Sequence, residues 1–333
     1  VSPAFDYVSA ALRAGKCVVT SNKELVAAKG ADLVALAREN GQNFLFEASV
    51  GGGIPIIRPL HQSLAADEID EIVGILNGTT NFILTKMIRE NMSFDAALKM
   101  AQQLGYAEAN PAADVEGLDT CRKICILASL AFGSHVYPHT IEMQGITNLT
   151  PEDIQYAEDE NCVIKLLGHT RRINGKCFAV TGPCLVSRES PLARVDDVFN
   201  AILVRGEVTG DVVFYGKGAG KLPTASAVVS DIIECVTADG PIATLQWSDS
   251  DGSNVIDPRE DISPRYLRCR GEGLLAKIGA AFGEVHLLRR PEKPADEEAF
   301  TTAPISGYEL EEKLSALTSQ GVEVLSSLRV WKP

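Results

Sequence analysis

Residues 17–50, CVVTSNKELVAAKGADLVALARENGQNFLFEASV, set the fold class of this chain. The stretch begins and ends with apolar runs, at 17–20 and 44–50, whose length is typical of buried strands. Residues 23–39 between them have the apolar spacing of a helix, which ends at an Asn-Gly pair. Two strands joined by one helix at this spacing form a parallel pair. The stretch therefore predicts an α/β fold.

The remaining sequence predicts more than one structural unit. A helical pattern precedes residue 17, and because a chain rarely begins in the middle of such a pattern, we expect further strands upstream of Val1. Residues 237–263 are polar and rich in Asp and Gly, as linkers are. The patterns of residues 264–333 alternate between strand and helix, which predicts a small α+β module.

The composition excludes several function classes. The chain has 333 residues, of which 45% are apolar and 23% charged, as in globular proteins of about two or three domains. Its formal net charge of −13 argues against a nucleic-acid surface and disfavours an anionic membrane. No apolar run reaches the roughly 18 residues of a membrane span, and no signal peptide is recognisable. The 8 cysteines form no Cys-x-x-Cys pair, so we predict a cytoplasmic protein with reduced thiols and without a zinc site.

The stretch Thr20-Ser21-Asn22-Lys23 directly follows the first predicted strand. In open α/β sheets ligands bind beyond the carboxyl ends of the strands, and a lysine there can bind an anion or move a proton. A helix cap followed by a surface lysine explains the same residues. Both interpretations stay open on this stretch alone.

A glycine turn, Gly51-Gly52-Gly53, follows the second predicted strand. In an extended chain, carbonyl groups two residues apart point the same way, so Val50, Gly52 and Ile54 could direct three oxygens at one point. With the carboxylate of Glu47, such a cage would suit a monovalent cation. The alternatives are a plain turn before a helix, and a phosphate loop, which Glu47 would repel.

The most informative stretch is LGYAEANPAADVEGLDTCRK at residues 104–123. Glu108 and Asp114 lie on the loop that enters a helix, and Asp119 and Lys123 share one face of that helix at i, i+4. An exposed ion pair would explain this spacing. However, the sequence that follows is apolar on nearly every face, so the helix soon enters a core and its charges need partners. Carboxylates around one lysine could bind a zwitterionic ligand, with the lysine transferring a proton.

A second glycine-rich turn, GKGAGKLPT, occupies residues 216–224. Its spacing is not that of a P-loop, because Pro223 stands where the lysine of that motif would be. Close approach of the backbone to a ligand and plain turn geometry explain this turn equally well.

Taken together, these stretches resemble homoserine dehydrogenase. The resemblance covers about residues 1–236 and rests on segments that occur in the order of the family, namely 20–23, 47–55, 77–81 (NGTTN), 104–123 and 216–231. The family interconverts L-homoserine and L-aspartate 4-semialdehyde with NAD or NADP by hydride transfer, on the route to threonine, methionine and isoleucine. The resemblance therefore implies this activity, these substrates and this cofactor, none of which the spacing itself names.

The resemblance also implies roles for individual residues. Lys123 matches the family's proton-transferring lysine, and Lys23 matches a second lysine near cofactor and substrate. Positions that match groups which bind substrate or order Lys123 are Glu108, Asp114, Asp119 and Gly78. Positions that match the cofactor lining, beside Lys23, are Thr79 and Gly220. Positions that match a sodium site are Glu47, Val50, Gly52 and Ile54.

The same resemblance implies the domain organisation. Residues 1–55 and 216–236 would be the remainder of a Rossmann-type nucleotide-binding domain, whose Gly-x-Gly-x-x-Gly loop is not found in this sequence. Residues 56–215 would be an α+β domain for substrate binding, catalysis and dimerisation, in a homodimer or homotetramer. Residues 264–333 resemble a regulatory ACT module that would take an amino-acid effector. Within it, polar and Pro-containing sequence at 289–303 stands where a strand is expected.

Two other functions fit parts of the sequence. A non-catalytic protein that binds an amino acid would keep the pocket around Lys123 without nucleotide chemistry. A semialdehyde dehydrogenase of the acylating kind would need a nucleophilic cysteine in a polar loop, and no cysteine here has such surroundings. Separate binding measurements with NADP and with homoserine, and sensitivity to thiol alkylation, distinguish these functions.

Overall fold

The computed structural model describes residues 1–238, 240, 242 and 247–332, and it has α/β architecture. The α-helices are α1 Ala4–Arg13, α2 Lys23–Glu39, α3 Gly78–Glu90, α4 Phe94–Gln103, α5 Ala112–Val115, α6 Leu118–Phe132, α7 Pro151–Asp159, α8 Lys221–Thr237, α9 Leu274–Phe282 and α10 Gly307–Ser319. The strands are β1 Val18–Val19, β2 Phe44–Leu45, β3 Ile69–Ile75, β4 Glu142–Met143, β5 Cys162–Ile173, β6 Lys176–Ser187, β7 Phe199–Gly206, β8 Gly210–Lys217, β9 Ile262–Ser263, β10 Arg265–Arg270, β11 His286–Leu288, β12 Glu297–Thr301, β13 Ile305–Ser306 and β14 Glu323–Trp331. None of the described helices is both long and apolar enough to cross a membrane.

The stretch 17–50 folds as predicted in its first part. Strands β1 and β2 form a parallel pair in which Val18 lies opposite Phe44, and α2 connects them. The strand predicted over 44–50 is too long, because the chain leaves it after β2 and makes a 3-10 turn that begins at Glu47. The N–H of Glu47 donates to the carboxylate of Asp231 at 2.9 Å, so a buried hydrogen bond holds this turn.

One large mixed sheet forms the centre of the molecule. Its strands lie in the order β11-β12-β10-β14-β6-β5-β3-β7-β8, and β4 pairs with β6. Helix α6 packs on β3, β5 and β6 and also contacts α2, so it connects the sheet to the β1–β2 unit. Its buried residues include Ile124 and Leu127, as the apolar sequence predicts.

The C-terminal module continues this sheet. Its main elements follow the order β10-α9-β11-β12-α10-β14, and its strands lie in the order β11-β12-β10-β14, which is the arrangement of a split β-α-β fold. Strand β14 then pairs in parallel with β6, with Val330 opposite Leu185. The segment is therefore an α+β unit, as predicted, and it is joined edge to edge with the middle of the chain.

A strand forms where the sequence suggested irregular chain. Strand β12 lies within the polar stretch 289–303 and pairs with β10 and β11. Its residue Glu297 is buried, and the guanidinium of Arg290 binds the carboxylate at 2.9 Å. The carboxylate also accepts a hydrogen bond from Tyr156 of α7 at 2.9 Å and pairs with Arg268 of β10 at 3.5 Å. Because these two partners lie outside the stretch, local composition did not reveal the strand.

Part of the predicted linker 237–263 is packed against the core. Trp247 is buried beside Phe46, with the ring centroids 5.8 Å apart. Val255 forms a parallel bridge with Cys177. Residues 239, 241 and 243–246 of this segment lie outside the described residues. The described part is therefore anchored at two places rather than lying free of the core.

Candidate active site

A buried lysine and a buried aspartate share one face of α6. The Nζ of Lys123 lies 2.7 Å from Oδ2 of Asp119, one turn earlier. It also donates to the backbone carbonyl of Leu76 at 2.7 Å, just after β3. Only 3% of Asp119 and 8% of Lys123 is exposed. The pair therefore lies inside the core, as the apolar sequence that follows it indicates.

Asn77 connects this pair to the loop before α6. Its Nδ2 donates to Asp114 at 2.7 Å and to Asp119 at 2.8 Å. Its Oδ1 accepts the N–H of Thr80 at 2.9 Å and so caps α3, which begins at Gly78. The sequence prediction gave Asn77 no role, although its position directly after a strand was the available signal.

Lys23 reaches the same aspartate from the start of α2. Its Nζ lies 3.0 Å from Oδ1 of Asp119, and its side chain is 40% exposed. Asn22 caps the helix by accepting the N–H of Leu25 at 3.1 Å. The interpretation of the stretch 20–23 as a helix cap is therefore correct, and the stretch also places a lysine on the solvent side of the cluster; the role of this lysine toward a ligand stays a prediction.

The surroundings change the acidity of the two aspartates in opposite directions. Burial alone would raise the pKa of Asp119, but the charges of Lys123 and Lys23 outweigh burial and hold that pKa well below its usual value. Burial raises the pKa of Asp114; the hydrogen bond from Asn77 opposes this rise and the charge of Asp119 adds to it. The cluster therefore keeps one fixed negative charge between two lysines.

This arrangement can hold a zwitterion and move one proton. A lysine ammonium group has three N–H bonds. Among the described residues, Lys123 uses them on Asp119 and on the carbonyl of Leu76. One N–H is thus left for an oxygen of a ligand, and Asp114 offers a carboxyl group to a ligand's ammonium.

Other predicted positions lie around this cluster. The Oγ1 of Thr79 donates to the carbonyl of Tyr106 at 2.7 Å, which ties the start of α3 to the loop before α6. A β-carbon on Gly78 would lie 2.8 Å from the carbonyl of Val198, so the backbones of these two residues are in close contact. Glu108 is exposed, and in the described part of the chain no hydrogen bond joins its carboxylate to the cluster.

The two glycine turns contact each other. The N–H of Gly53 donates to the carbonyl of Lys217 at 3.0 Å, and a β-carbon on Gly52 would overlap the backbone of Gly218. Gly51 and Gly52 have φ values of 76° and 59°. The extended chain that the carbonyl cage requires is therefore not present at these two glycines, and the prediction of extended chain here is wrong.

The carboxylate of Glu47 is bound by backbone groups. It accepts the N–H groups of Ile56, Ile57 and Arg58 at 2.6, 2.9 and 2.8 Å. Asp231 of α8, which accepts the N–H of Glu47, also pairs with Arg58 at 2.8 Å. Burial raises the pKa of Asp231 to about 6, against the effect of these partners. The sodium site at this turn stays a prediction.

Asn200 is a buried amide that sequence reasoning missed. It is fully buried, and neither its Nδ2 nor its Oδ1 has a hydrogen-bond partner in the described structure. A β-carbon on Gly218 would collide with this amide, and one on Gly78 would lie 3.6 Å from its Oδ1. Gly220, with φ of 119°, then leads into α8. The amide therefore lies between the start of α3 and the second glycine turn.

Comparison with known sequences points to one family. The family model described as homoserine dehydrogenase matches residues 55–233. A homoserine dehydrogenase of Bacillus subtilis is 48% identical over 308 residues, which are 88% of this chain and 70% of that protein. A homoserine dehydrogenase of Synechocystis is 48% identical over 298 residues, which are 85% of this chain and 69% of that protein.

Solved structures agree with this result. The crystal structure of a homoserine dehydrogenase from Thiobacillus denitrificans superposes with a TM-score of 0.92 at 35% identity and covers 99% of this chain and 80% of that one. A hyperthermophilic archaeal homoserine dehydrogenase in complex with NADPH has a TM-score of 0.63 at 32% identity, over 73% of this chain and 70% of that one. The likeness to the first structure extends through the C-terminal module.

Proposed function

The chain belongs to the homoserine dehydrogenase family, and from this premise we propose that the cluster on α6 catalyses the NAD(P)-dependent interconversion of L-homoserine and L-aspartate 4-semialdehyde. The buried pair of Lys123 and Asp119, with one N–H of the lysine left for a ligand, carries the proposal. A non-catalytic amino-acid-binding function is not favoured, because simple retention of an amino acid does not require a lysine oriented by two partners at this depth.

Lys123 exchanges the proton of the reacting oxygen. NAD(P), when bound, supplies the hydride acceptor or donor. In the reduction direction the third N–H of the Lys123 ammonium group protonates the carbonyl oxygen of the semialdehyde and leaves a neutral amine; in the oxidation direction the neutral amine of Lys123 takes the proton of the homoserine hydroxyl and becomes the ammonium. Asp119 keeps the Nζ of Lys123 in place from 2.7 Å. Lys23 lies on the exposed side of the same carboxylate, between the cluster and solvent.

The polar ends of the substrate are held by the loop before α6 and by the start of α3. Asp114 has a raised pKa but keeps one hydrogen bond from Asn77, and its carboxyl group is placed to accept the substrate ammonium. Glu108, exposed on the same loop, provides a second acidic group at the mouth of the site. At Gly78 the backbone packs directly against the carbonyl of Val198, so a glycine here allows the start of α3 to lie close to residues 198–200.

The cofactor lies along Lys23, Thr79 and Gly220 in this proposal. Support comes from Asn200, whose buried donor and acceptor are both unpartnered in the described structure. The carboxamide of nicotinamide carries one acceptor and one donor group, which are complementary to the amino group and the oxygen of Asn200. The archaeal relative that is bound to NADPH supports NADP as the cofactor.

A monovalent cation, sodium, would stabilise the contact between the two glycine turns. Its ligands would be the carbonyl groups of Val50, Gly52 and Ile54, next to Glu47. The carboxylate of Glu47, which is buried at this turn, supports the site by adding negative charge beside these carbonyl groups. Activity in sodium that exceeds activity in tetramethylammonium at equal ionic strength supports this site, and equal activity contradicts it.

The C-terminal module is proposed to be an ACT-like regulatory unit, and the protein to be a homodimer or homotetramer. The split β-α-β strand order supports the first proposal. Strand β8 is the outer strand of the large sheet and exposes Val213 and Tyr215, which supports pairing with a second copy. Sedimentation that shows only monomer at micromolar concentration contradicts the assembly.

The direct test is homoserine-dependent reduction of NAD(P) by this chain, measured in parallel with a form extended upstream of Val1. We expect Lys123→Ala to reduce the rate by at least about 10²-fold, the usual contribution of general acid–base catalysis. Lys99→Ala, which removes an exposed lysine of α4, is the matched control and keeps the rate. Retained activity in Lys123→Ala, or a folded extended form without activity, contradicts the proposal.

A further inference from the structure

A cavity of about 300 Å³ lies where the C-terminal module joins the sheet. Strand β6 forms one wall, β10 and β14 form another, and the first turn of α10 closes it. The residues that line the cavity include Val180, Pro183, Glu142, Arg265, Leu310 and Arg329. None of the residues that line this cavity belongs to the lysine–aspartate cluster on α6.

Arg265 is the exceptional residue of this cavity. Only 5% of it is exposed, and its Nε is buried without a hydrogen-bond partner in the described structure. The acidic groups around it are used by other arginines. Asp261 is bound by Arg171, and Glu142 lies 2.9 Å from Arg329. Among the described residues, no carboxylate forms an ion pair with Arg265 itself.

A buried guanidinium without an anion is costly for the free protein. Burial, with the nearby charge of Arg329, lowers the pKa of Arg265 to about 10 against the opposing charges of Asp261 and Glu142, so the group is still protonated at neutral pH. An unpaired charge of this kind is usually replaced by an apolar residue unless something binds it. Since the cavity is open enough to hold a small molecule, an anionic ligand supplies the missing partner.

The other residues that line the cavity determine which kind of anion it favours. Val180, Pro183 and Leu310 give the cavity an apolar side that suits a hydrocarbon group. Glu142 and Glu311 also line it, and their charges disfavour a multiply charged anion such as phosphate. The N-terminal turn of α10 also lines the cavity through Gly307, and the positive end of the helix dipole there favours an anion.

We propose that this cavity binds a small organic monocarboxylate, with the carboxylate on Arg265 and the hydrocarbon part against Val180, Pro183 and Leu310. The site goes beyond the dehydrogenase activity and does not depend on it. Because its walls come from β6 and from the module, an occupied site holds the module and the central sheet together.

Butyrate, butyramide and inorganic phosphate are the probes, titrated separately into the complete chain and followed by saturation-transfer NMR. We expect saturable binding of butyrate at millimolar concentration. Butyramide has the same shape without the charge, so its Kd should be at least about tenfold higher. Phosphate should not compete with butyrate. Absence of saturable butyrate binding, equal binding of butyramide, or competition by phosphate overturns the proposal.

Three variants locate the binding. Arg265→Met should weaken butyrate at least about tenfold, whereas Arg13→Met, on the exposed side of α1, should not change it. Lys123→Ala should also leave butyrate binding unchanged, which separates this cavity from the active site. A Kd that responds to Lys123→Ala and not to Arg265→Met overturns the assignment.

Stability of the ligand-free protein gives a second readout. If Arg265 is kept for a ligand, Arg265→Met removes an uncompensated charge and the Tm without butyrate stays equal or rises. If Arg265 is a structural residue, the Tm falls. A lower Tm in Arg265→Met together with unchanged butyrate binding in that variant contradicts the proposal even if the protein is fully active.

Discussion

The Nζ of Lys123 lies 2.7 Å from Oδ2 of Asp119, and the Nζ of Lys23 lies 3.0 Å from the other oxygen of the same carboxylate. Two cations therefore share one buried anion. If this anion is replaced by a neutral group of the same size, both ammonium groups lose their compensating charge, and for the buried Lys123 this happens in a site of low dielectric constant. Asp119 consequently acts on the reaction through the position of Lys123.

We expect Asp119→Asn to lower kcat for homoserine oxidation by about 10²-fold or more, because the proton-transferring group is no longer held in place. Steady-state kinetics with saturating cofactor measures this. Asp32→Asn removes an exposed carboxylate that pairs with Lys29 at 3.0 Å, and it should leave kcat unchanged. A wild-type kcat in Asp119→Asn contradicts the role of the shared anion.

Substitution of Asn200 distinguishes a role in cofactor binding from a role in folding. Its side chain makes no hydrogen bond in the described structure, so Asn200→Leu loses none and should not lower the Tm. If the amide binds the nicotinamide carboxamide, the KM for NAD(P) should rise about tenfold, as expected for one or two lost hydrogen bonds. An unchanged KM, or a large loss of stability, shows that Asn200 serves the fold instead.

The part of the site that lies on one helix could be predicted from the sequence. Asp119 and Lys123 are four residues apart, and helical geometry alone places them together. The need for partners followed from the apolar sequence after them. Asn77 could not be found this way, since its bonds to Asp114 and Asp119 depend on how β3 meets α6.

The errors of prediction have the same origin in contacts between distant segments. Residues 44–50 have the composition of a strand, yet the bond from the N–H of Glu47 to Asp231 turns the chain. Strand β12 looked too polar, but the buried carboxylate of Glu297 accepts a hydrogen bond from Tyr156 of α7 at 2.9 Å and pairs with Arg268 of β10 at 3.5 Å. In both cases a side chain far away in sequence decided the backbone, and local patterns carry no record of it.

The buried Lys165 makes the free energy of unfolding depend on pH in the alkaline range. It is fully buried on β5, and its Nζ donates to the carbonyl of Val195 at 2.5 Å and to Asn81 at 3.2 Å. Burial lowers its pKa from 10.5 to about 8, although the charge of Asp196 opposes this. The folded state therefore binds the proton less tightly than the unfolded state, so the stability contribution of this group rises as pH increases from about 8 to 10.5.

The free energy of unfolding should be compared between wild type and Lys165→Met at pH 7 and pH 10.5. Between these two pH values the free energy of unfolding of the wild type should rise by about 3 kcal/mol relative to that of Lys165→Met, since one pKa unit corresponds to about 1.4 kcal/mol. Lys99→Met changes an exposed position of α4, and the difference in free energy of unfolding between it and the wild type should stay constant over the same pH range. Parallel pH profiles for wild type and Lys165→Met would mean that the buried ammonium titrates normally.

The packing of Trp247 on α2 can be tested with two glycines. A β-carbon on Gly30 would collide with the indole of Trp247, so Gly30→Ala should destabilise the protein by about 1–3 kcal/mol through overpacking. Gly279 in α9 has no atom within 4 Å of such a carbon, and Gly279→Ala should be neutral or stabilising by up to about 1 kcal/mol. Urea unfolding followed by tryptophan fluorescence measures both. Equal effects of the two substitutions would show that the segment around Trp247 does not rest on α2.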